Sequence, residues 1–416
     1  MVKGVDSMQT SIDDFLGEKR EDRYRKVLFR SFYNFDTDYA THGLYWYPAR
    51  FIPQVVRYFI ENYTKLGDLV FDPFAGSGTV AIEAEITGRN YIVWDLNPIT
   101  ELLVKAETWR GDINEKMFEV DFEYPKKFVP RWDNLYLWHP REFVDALAKL
   151  WGYYHDHPNP LLAIPLLRIT KYFSYAEIEF PKPYRSKVAL ERVKELLGGN
   201  WRQKMRDMYR QEVERVIKKV REFQRLCKCA SKGEVRGGVD VLSAELPRVD
   251  AVITSPPYLQ AQEYIRTFSM ELHWLGYTDA EIRRLKSREI PYNTPPIATV
   301  NSQVYRKYRE FVKSIGDSRL LQIYDVYFKS MAYFLGKVNA KIIGLFVGPV
   351  KVKTTRVPLD EIFREHLESL GWSHEVTLID TIVSRRLAQV RINPATGLVD
   401  ERTPTEHLLI MVRNKN

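Results

Sequence analysis

The chain has 416 residues, of which 45% are hydrophobic and 28% charged, enough for one large or two ordinary globular domains. No apolar run reaches the roughly 18 residues of a membrane span, and the first 15 residues hold no stretch typical of a signal peptide, so we expect a cytoplasmic protein. A net charge of +8 favours polyanionic partners, whereas Cys227 and Cys229 alone are too few for a disulfide framework or a zinc site, so we expect no metal.

Residues 1–45 form a polar and aromatic N-terminal extension without strong periodicity. Near its start lies a segment similar to the short peptide that binds the replication sliding clamp, with the anchor residues Gln9, Ile12, Phe15 and Leu16. A clamp partner would place the protein on DNA. The alternative is an ordinary first helix, capped at its N-terminus by Thr10 or Ser11.

The next segment predicts a β–α–β opening. Residues 46–66 are typical of a loop followed by an amphipathic helix, with Pro53 in the first helical turn. After it we expect a strand at 68–71, a Gly-rich turn at 72–79, a helix to about residue 87 and a strand at 91–94. This order indicates a parallel, doubly wound α/β sheet.

The alternation stops between residues 104 and 235, which we interpret as a mostly helical insertion. Periodicity and composition predict helices at 188–197 and 200–227. Residues 182–232 contain 16 Lys and Arg against 6 Asp and Glu, so this part of the insertion is strongly basic. It is either a surface for nucleic-acid recognition or a set of solvated amphipathic helices.

The sheet resumes near residue 236, so we expect the core to comprise residues 46–103 and 236–416. Further strands are predicted at 239–242, 250–254, 342–347, 376–379 and 407–412. A helix is predicted at 359–370, and residues 278–318 are charged and typical of loops.

The Gly-rich turn runs from Asp72 through Phe74, Gly76, Ser77 and Gly78 to Thr79. It lacks the Gly-Lys-Ser/Thr of a phosphate-binding loop and the G-x-G-x-x-G of a dinucleotide site. The leading carboxylate would repel a pyrophosphate but suits a cation. A second carboxylate, Asp95, ends the next strand, where it could hold ribose hydroxyls.

These features predict a site for a nucleoside that carries positive charge, and S-adenosylmethionine (SAM) fits. Two simpler interpretations stay open. The glycines could serve only a tight β–α turn, and Asp95 could be a helix N-cap.

A second motif ends the strand predicted at 250–254: Thr254-Ser255-Pro256-Pro257-Tyr258. Together with the Gly-rich turn, it resembles the SAM-dependent amino-methyltransferases of nucleic acids, specifically those that methylate the 4-amino group of cytosine. The resemblance implies a Rossmann-like, seven-stranded sheet. The resemblance covers about residues 40–100 and 236–412. The two turns match the family motifs most specifically.

The resemblance also implies a set of site residues. The catalytic turn would comprise Ser255, Pro256, Pro257 and Tyr258. SAM would be bound by Tyr47, Pro48, Arg50, Asp72, Phe74, Gly76, Ser77, Gly78, Thr79, Asp95, Asn97 and Asp240. Residues 263–276 resemble the helix that follows the catalytic turn in this family.

The chemistry explains these residue types. The lone pair of an exocyclic amine is delocalised into the ring, so the nitrogen must pyramidalise before it can attack a methyl group. The Ser255 hydroxyl and the Pro256 carbonyl could accept its two N–H bonds as charge develops. Proline holds its own carbonyl in place, and Tyr258 could stack on the base.

Four hypotheses about the substrate and activity remain. The unusual place of the insertion favours, slightly, structured RNA such as ribosomal RNA, because RNA is recognised by shape and exposed bases. The alternative is DNA cytosine-N4 modification. Two further hypotheses stay open: an adenine or guanine amino-methyltransferase, and a binding protein without transfer activity. The composition and the resemblance to archaeal enzymes suggest a thermophilic archaeal source.

Overall fold

The computed structural model describes residues 23–178, 183–259, 263–353, 355–381 and 405–414. Its ten strands are β1 (Tyr24–Val27), β2 (Leu69–Asp72), β3 (Asn90–Asp95), β4 (Gly233–Gly237), β5 (Ala251–Thr254), β6 (Ile342–Val347), β7 (Val350–Val352), β8 (Thr355–Val357), β9 (Trp372–Thr381) and β10 (Thr405–Arg413). Eight of them form one sheet in the order β1-β9-β10-β6-β5-β2-β3-β4, and β7 and β8 form a hairpin.

The sheet is mostly parallel. Only β10 is antiparallel, and it pairs with both β6 and β9. The chain runs outward from β2 to β3 and β4, then returns to β5 on the other side of β2. The point where the direction of travel reverses therefore lies between β2 and β5, where open α/β sheets bind their ligands.

The helices are α1 (Pro53–Tyr63), α2 (Thr79–Thr87), α3 (Ile99–Glu107), α4 (Leu135–Trp138), α5 (Arg141–Asp156), α6 (Pro160–Tyr172), α7 (Lys187–Gly198), α8 (Trp201–Leu226), α9 (Tyr264–Thr267), α10 (Ser269–Trp274), α11 (Asp279–Lys286), α12 (Gln303–Ser314), α13 (Ser318–Lys337) and α14 (Leu359–Ser369). One face of the sheet packs on α1 and α2, and the opposite face packs on α13 and α14. The expected Rossmann-like α/β fold is confirmed, with β1 as an additional edge strand. Among the described residues, no helix is long and apolar enough to cross a membrane.

The segment between α3 and β4 is mostly helical and is not an independent lobe. The buried side chains of α5, α6 and α8 share one hydrophobic cluster with α10 and with Tyr45 and Tyr47, which precede α1. Because apolar burial is the main favourable term in folding, this shared cluster fixes the helices against the sheet. The division into domains stays a prediction, although β4 pairs with β3 and so places residues 233–237 in the sheet.

Two local predictions were wrong. The strand expected at 239–242 is a turn, because Asp240 Oδ1 accepts the N–H of Leu242 and the Asp240 carbonyl accepts the N–H of Ala244. The preceding residues, Gly233–Gly237, form the strand instead. Residues 278–318 are also not mainly loop, because α11 and α12 lie within them; α11 begins with a capping box at Thr278.

Candidate functional site

A cavity of about 950 Å³, counted with its open mouth, lies at the carboxyl ends of β2, β3 and β5. Its lining comes from seven parts of the chain: the segment before α1, the turns after β2, β3 and β4, the Ser-Pro-Pro turn after β5, helix α9 and the loop after α11. The lining residues that the sequence predicted are Tyr47, Arg50, Phe74, Gly76, Ser77, Asp95, Asn97, Asp240, Ser255 and Pro257.

The remaining predicted residues lie behind or beside the lining. They are Pro48, Asp72, Gly78, Thr79, Pro256 and Tyr258. Thr79 donates its hydroxyl to the Phe51 carbonyl at 3.2 Å, so it fixes the turn against the segment before α1. The Tyr258 hydroxyl donates to Glu406 Oε1 on β10 at 3.3 Å. The predicted stacking of Tyr258 on a base stays a prediction.

The Gly-rich turn is built on two left-handed residues. Gly76 has φ +52° and Gly78 has φ +76°, conformations that favour glycine. A Cβ on Gly78 would lie 2.4 Å from Val104 Cγ2 on α3, and one on Gly76 would lie 3.2 Å from the Tyr47 ring. The turn is therefore closely packed on both sides, and its backbone can approach a ligand in the cavity.

Asp72 is buried beneath this turn. Its Oδ1 accepts the Thr254 hydroxyl at 2.6 Å and the N–H of Phe74 at 3.1 Å. The carboxyl therefore joins the ends of β2 and β5, directly below the Ser-Pro-Pro turn. Burial raises the pKa of Asp72 to about 7, although both hydrogen bonds oppose the shift.

Asp95 lines the cavity at the end of β3. Its Oδ2 accepts the N–H of Gly76 at 2.8 Å, and its Oδ1 accepts the N–H of Asn97 at 2.7 Å. Burial raises the pKa of Asp95 to about 6. Since each carboxylate oxygen can accept more than one hydrogen bond, both oxygens keep capacity for hydroxyl donors in the cavity.

Aromatic rings cover the other side of the turn. Tyr47 packs against Phe268 at 4.8 Å between ring centroids and stacks near Tyr264 at 6.1 Å. Asn97 is buried beside them, and its Nδ2 has no hydrogen-bond partner among the described residues. A buried donor without a partner is costly, so a ligand acceptor at this position would satisfy it. This feature, with the two carboxyls, fits the cofactor expected from the sequence.

Arg50 contributes to the cavity wall, but its guanidinium is already engaged. It donates to Asp38 Oδ1, to the His42 carbonyl and, at 3.2 Å, to the Thr37 carbonyl. Its side chain is only about 20% exposed. Arg50 therefore fixes the segment that carries Tyr47, and a direct contact with a ligand stays a prediction.

Sequence reasoning missed part of the lining. The missed polar residues are Tyr264, Arg288 and Glu289, and the missed apolar ones include Val239, Val241, Ile265 and Ile290. Tyr264 lies in the segment that resembled the helix after the catalytic turn. Glu289 belongs to no motif, and only the packing of the loop after α11 onto α9 brings it to the cavity.

The described residues contain no group of three or more His, Cys, Asp or Glu side chains that could hold a metal ion. The clamp-like peptide with Gln9, Ile12, Phe15 and Leu16 lies outside the described residues, and no comparison supports it.

Comparison with known proteins gives one matching family model, described as DNA methylase, over residues 8–104. Among curated proteins, the Type II methyltransferase M.BsoBI of Geobacillus stearothermophilus is 25% identical over 309 residues, 66% of this chain and 59% of that protein. M.MjaII of Methanocaldococcus jannaschii is 29% identical over 119 residues, which is 27% of this chain and 22% of the relative.

A third relative, the Type II methyltransferase M.MvaI of Kocuria varians, is 35% identical over 83 residues, 19% of this chain and 18% of that protein. The chain thus spans less than two thirds of each of these relatives. The family match covers the Gly-rich turn, Asp95 and Asn97, and it ends before the Ser-Pro-Pro-Tyr turn. The expected resemblance is confirmed at this level, because the chain is similar to a DNA methylase family model and to Type II methyltransferases.

Proposed function

We propose that the protein is a SAM-dependent methyltransferase that modifies an exocyclic amine in DNA, with the 4-amino group of cytosine as the target. The observation that carries the proposal is the meeting of two turns at one cavity. Ser255 and Pro257 of the Ser-Pro-Pro turn face the same space as Gly76 and Asp95 of the proposed cofactor site. A methyl donor and an acceptor amine can therefore be held side by side.

In this proposal the cofactor supplies an electrophilic methyl group on a positively charged sulfur. Asp95 accepts ribose hydroxyls, Asn97 Nδ2 donates to an acceptor of the cofactor, and the Tyr47 ring covers the turn. The buried Asp72 carboxyl, joined to Thr254 and Phe74, places negative charge beneath the reacting end when it is ionised.

The acceptor amine is oriented by the turn after β5. The Ser255 hydroxyl makes no hydrogen bond with another described residue, so it can accept one N–H of the amine. The Pro256 carbonyl accepts the other. The proline ring holds the Pro256 carbonyl in place before the reaction, so this acceptor stabilises the charge that develops on nitrogen with little reorganisation.

The family match and the three methyltransferase relatives support DNA as the substrate. The slight preference for structured RNA, based on the place of the insertion, has no support among them, so DNA replaces it here. The choice of cytosine N4 over adenine N6 rests on the serine of the Ser-Pro-Pro-Tyr turn alone. Recognition of nucleic acid by the helical segment and a cytoplasmic location stay predictions.

The test uses methyl-labelled SAM with undermethylated genomic DNA and, separately, with total ribosomal RNA. Labelled nucleosides are identified by mass spectrometry after digestion. We expect label in 4-methyldeoxycytidine from DNA and none from RNA. Label in N6-methyldeoxyadenosine would keep the enzyme class and change the base, whereas label from RNA alone would reject the DNA assignment.

The Ser255→Ala variant tests the proposed role of the Ser255 hydroxyl in catalysis. We expect SAM affinity within about threefold of the wild type and transfer at least 10²-fold slower, because one of the two acceptors for the amine is lost. Unchanged turnover in this variant would remove Ser255 from the mechanism.

A further inference from the structure

Glu289 is the carboxyl of the cavity that no motif predicted. It follows α11 and is 8% exposed. Its Oε1 accepts the N–H of Ile265 at 2.9 Å, which fixes the carboxyl against α9. Its Oε2 has no partner among the described residues, although the residue lines the cavity. One oxygen therefore holds the side chain in place and the other is available to a ligand.

Three carboxyls line the cavity, and they are held by different elements. Asp95 and Asp240 follow β3 and β4, on the side of the sheet where the cofactor is proposed. Glu289 is bonded to α9, which follows the turn that carries Ser255. Both oxygens of Asp95 accept backbone N–H groups, and Asp240 Oδ1 accepts that of Leu242. Glu289 is thus the cavity carboxyl that is held by the helix after the Ser-Pro-Pro turn, and its Oε2 is unengaged among the described residues.

Transfer of a methyl group to a neutral amine requires a proton acceptor. The nitrogen lone pair forms the new N–C bond while the C–S bond breaks, and its electron pair passes to sulfur. The sulfur becomes neutral and the nitrogen cationic, with one N–H too many. That proton must leave before the methylated base is neutral again. The Ser255 hydroxyl can accept a hydrogen bond from it but is too weakly basic to take up the proton.

We propose that Glu289 accepts this proton through Oε2 and later releases it to solvent. The inference rests on the proposed methyltransferase function and adds a catalytic residue to it. A general base of this kind contributes about 10²–10⁴-fold to a rate.

The charged groups around Glu289 support this assignment. Burial raises its pKa to about 7, and the nearby carboxylates of Glu263 and Asp95 add to the shift. The Ile265 N–H and the ammonium of Lys286 oppose it, while the Arg288 and Tyr264 side chains face the same cavity. A carboxyl with this pKa is ionised in part near neutral pH and still basic enough to take a proton.

The experiment compares wild type, Glu289→Gln and Glu263→Gln in single-turnover methylation of DNA at saturating SAM between pH 5.5 and 9. The amide of Glu289→Gln keeps an acceptor for the Ile265 N–H and loses the basic oxygen. We expect its rate to fall about 10²-fold, with the affinity for SAM within about threefold, and the acid limb of the wild-type profile near pH 7 to disappear. Glu263→Gln removes an ion-pair partner of Arg266 outside the cavity lining and should keep the wild-type rate on the alkaline side of the profile, where Glu289 is ionised.

The outcomes separate the two proposals. An inactive wild type on every DNA offered would reject the proposed function and this inference with it. An active wild type whose Glu289→Gln rate stays within threefold would reject the inference alone. Loss of SAM binding in Glu289→Gln would show a structural role and also overturn it. If Glu289→Gln does not fold, the wild-type pH profile is the test. A wild-type rate that is independent of pH from 5.5 to 9 would overturn the inference.

Discussion

Two carboxyls lie at the cavity, Asp72 buried beneath it and Asp95 in its wall, and their pKa values are raised to about 7 and about 6. Burial penalises the charged form of a group. Without a ligand, the ionised carboxyls therefore lower the free energy of unfolding. A cationic ligand would offset that cost. The acidic pair therefore favours a cationic ligand, as proposed, and lowers the stability of the unliganded protein.

The Asp72→Asn variant tests this cost. The folded-state pKa of Asp72 is above its unfolded value of 3.8, so the folded state binds the proton more tightly and stability falls as pH rises between those values. At pH 8 we expect the variant, without ligand, to gain on the order of 4 kcal/mol in the free energy of unfolding. Denaturant unfolding measures it.

The pH supplies the control for this variant. Near pH 4 the folded-state carboxyl is already protonated, so most of the gain should vanish. Affinity for SAM at pH 8 should fall at least tenfold, because the amide carries no negative charge. A variant that is less stable than wild type at both pH values would contradict the argument.

Gly78 tests the packing of the turn. The Gly78→Ala change forces a side chain into φ +76° and within 2.4 Å of Val104. We expect the free energy of unfolding to fall by about 2–4 kcal/mol, from backbone strain and overpacking together. Gly316→Ala is the matched control, because Gly316 has φ +77° and open space around its Cβ position, so only the backbone cost of about 1 kcal/mol remains.

At the level of elements, α8 is the longest helix among the described residues and shows two faces. Its buried side includes Met205, Val213 and Val220. Lys204, Lys218 and Arg225 are exposed, and spacings of 14 and 7 residues place them along one opposite stripe. None of the three forms an ion pair with another described residue. The stripe has the charge that a phosphate backbone requires.

Replacing Lys204, Lys218 and Arg225 together with Gln should lower affinity for duplex DNA at least tenfold at 0.1 M salt. The slope of log affinity against log salt should fall by about 2–3, since fewer counterions are released. Fluorescence anisotropy over a salt series measures both quantities. Affinity for SAM should not change, and Glu214→Gln, which removes an exposed acid from α8, should strengthen DNA binding slightly. If the triple variant binds DNA with the same affinity as the wild type, the three side chains do not contact DNA and the stripe is only a solvated helix face.

For the whole molecule, the cavity lies where the sheet reverses its order, so ligand binding joins β2, β3 and β5 with α9 and the loop after α11. A ligand that binds only the folded state stabilises it by about 2.7 kcal/mol at a concentration of one hundred times its Kd. We therefore expect SAM to raise the unfolding temperature of the entire core.

This stabilisation should depend on pH. Binding of the cationic ligand favours ionised Asp72 and Asp95, so the rise in Tm at a fixed SAM concentration should be larger at pH 8 than at pH 5.5. S-adenosylhomocysteine, whose sulfur is uncharged, is the matched ligand and should show a weaker pH dependence. Differential scanning fluorimetry at both pH values checks this, and parallel behaviour of the two ligands would argue against recognition of the sulfonium charge.

Most of the fold could be predicted because its signals are local. The helices α7 and α8 follow from apolar periodicity, and β2, β3, β5 and β6 from short apolar runs. The strand β4 was missed since Gly233–Gly237 holds a single apolar residue, and it is stabilised by pairing with β3. Edge strands of this kind depend on their neighbours more than on their own residues.

The sequence by itself determined the two turns and suggested their chemistry, because left-handed glycines, leading carboxylates and a rigid Ser-Pro-Pro turn are local requirements. Tertiary structure alone decided which of these residues face the cavity. Packing put Asp72 and Thr79 behind the wall, engaged Arg50 with Asp38, and brought Glu289 in from a distant loop. Such contacts join residues far apart in the chain, and no spacing in a single sequence encodes them.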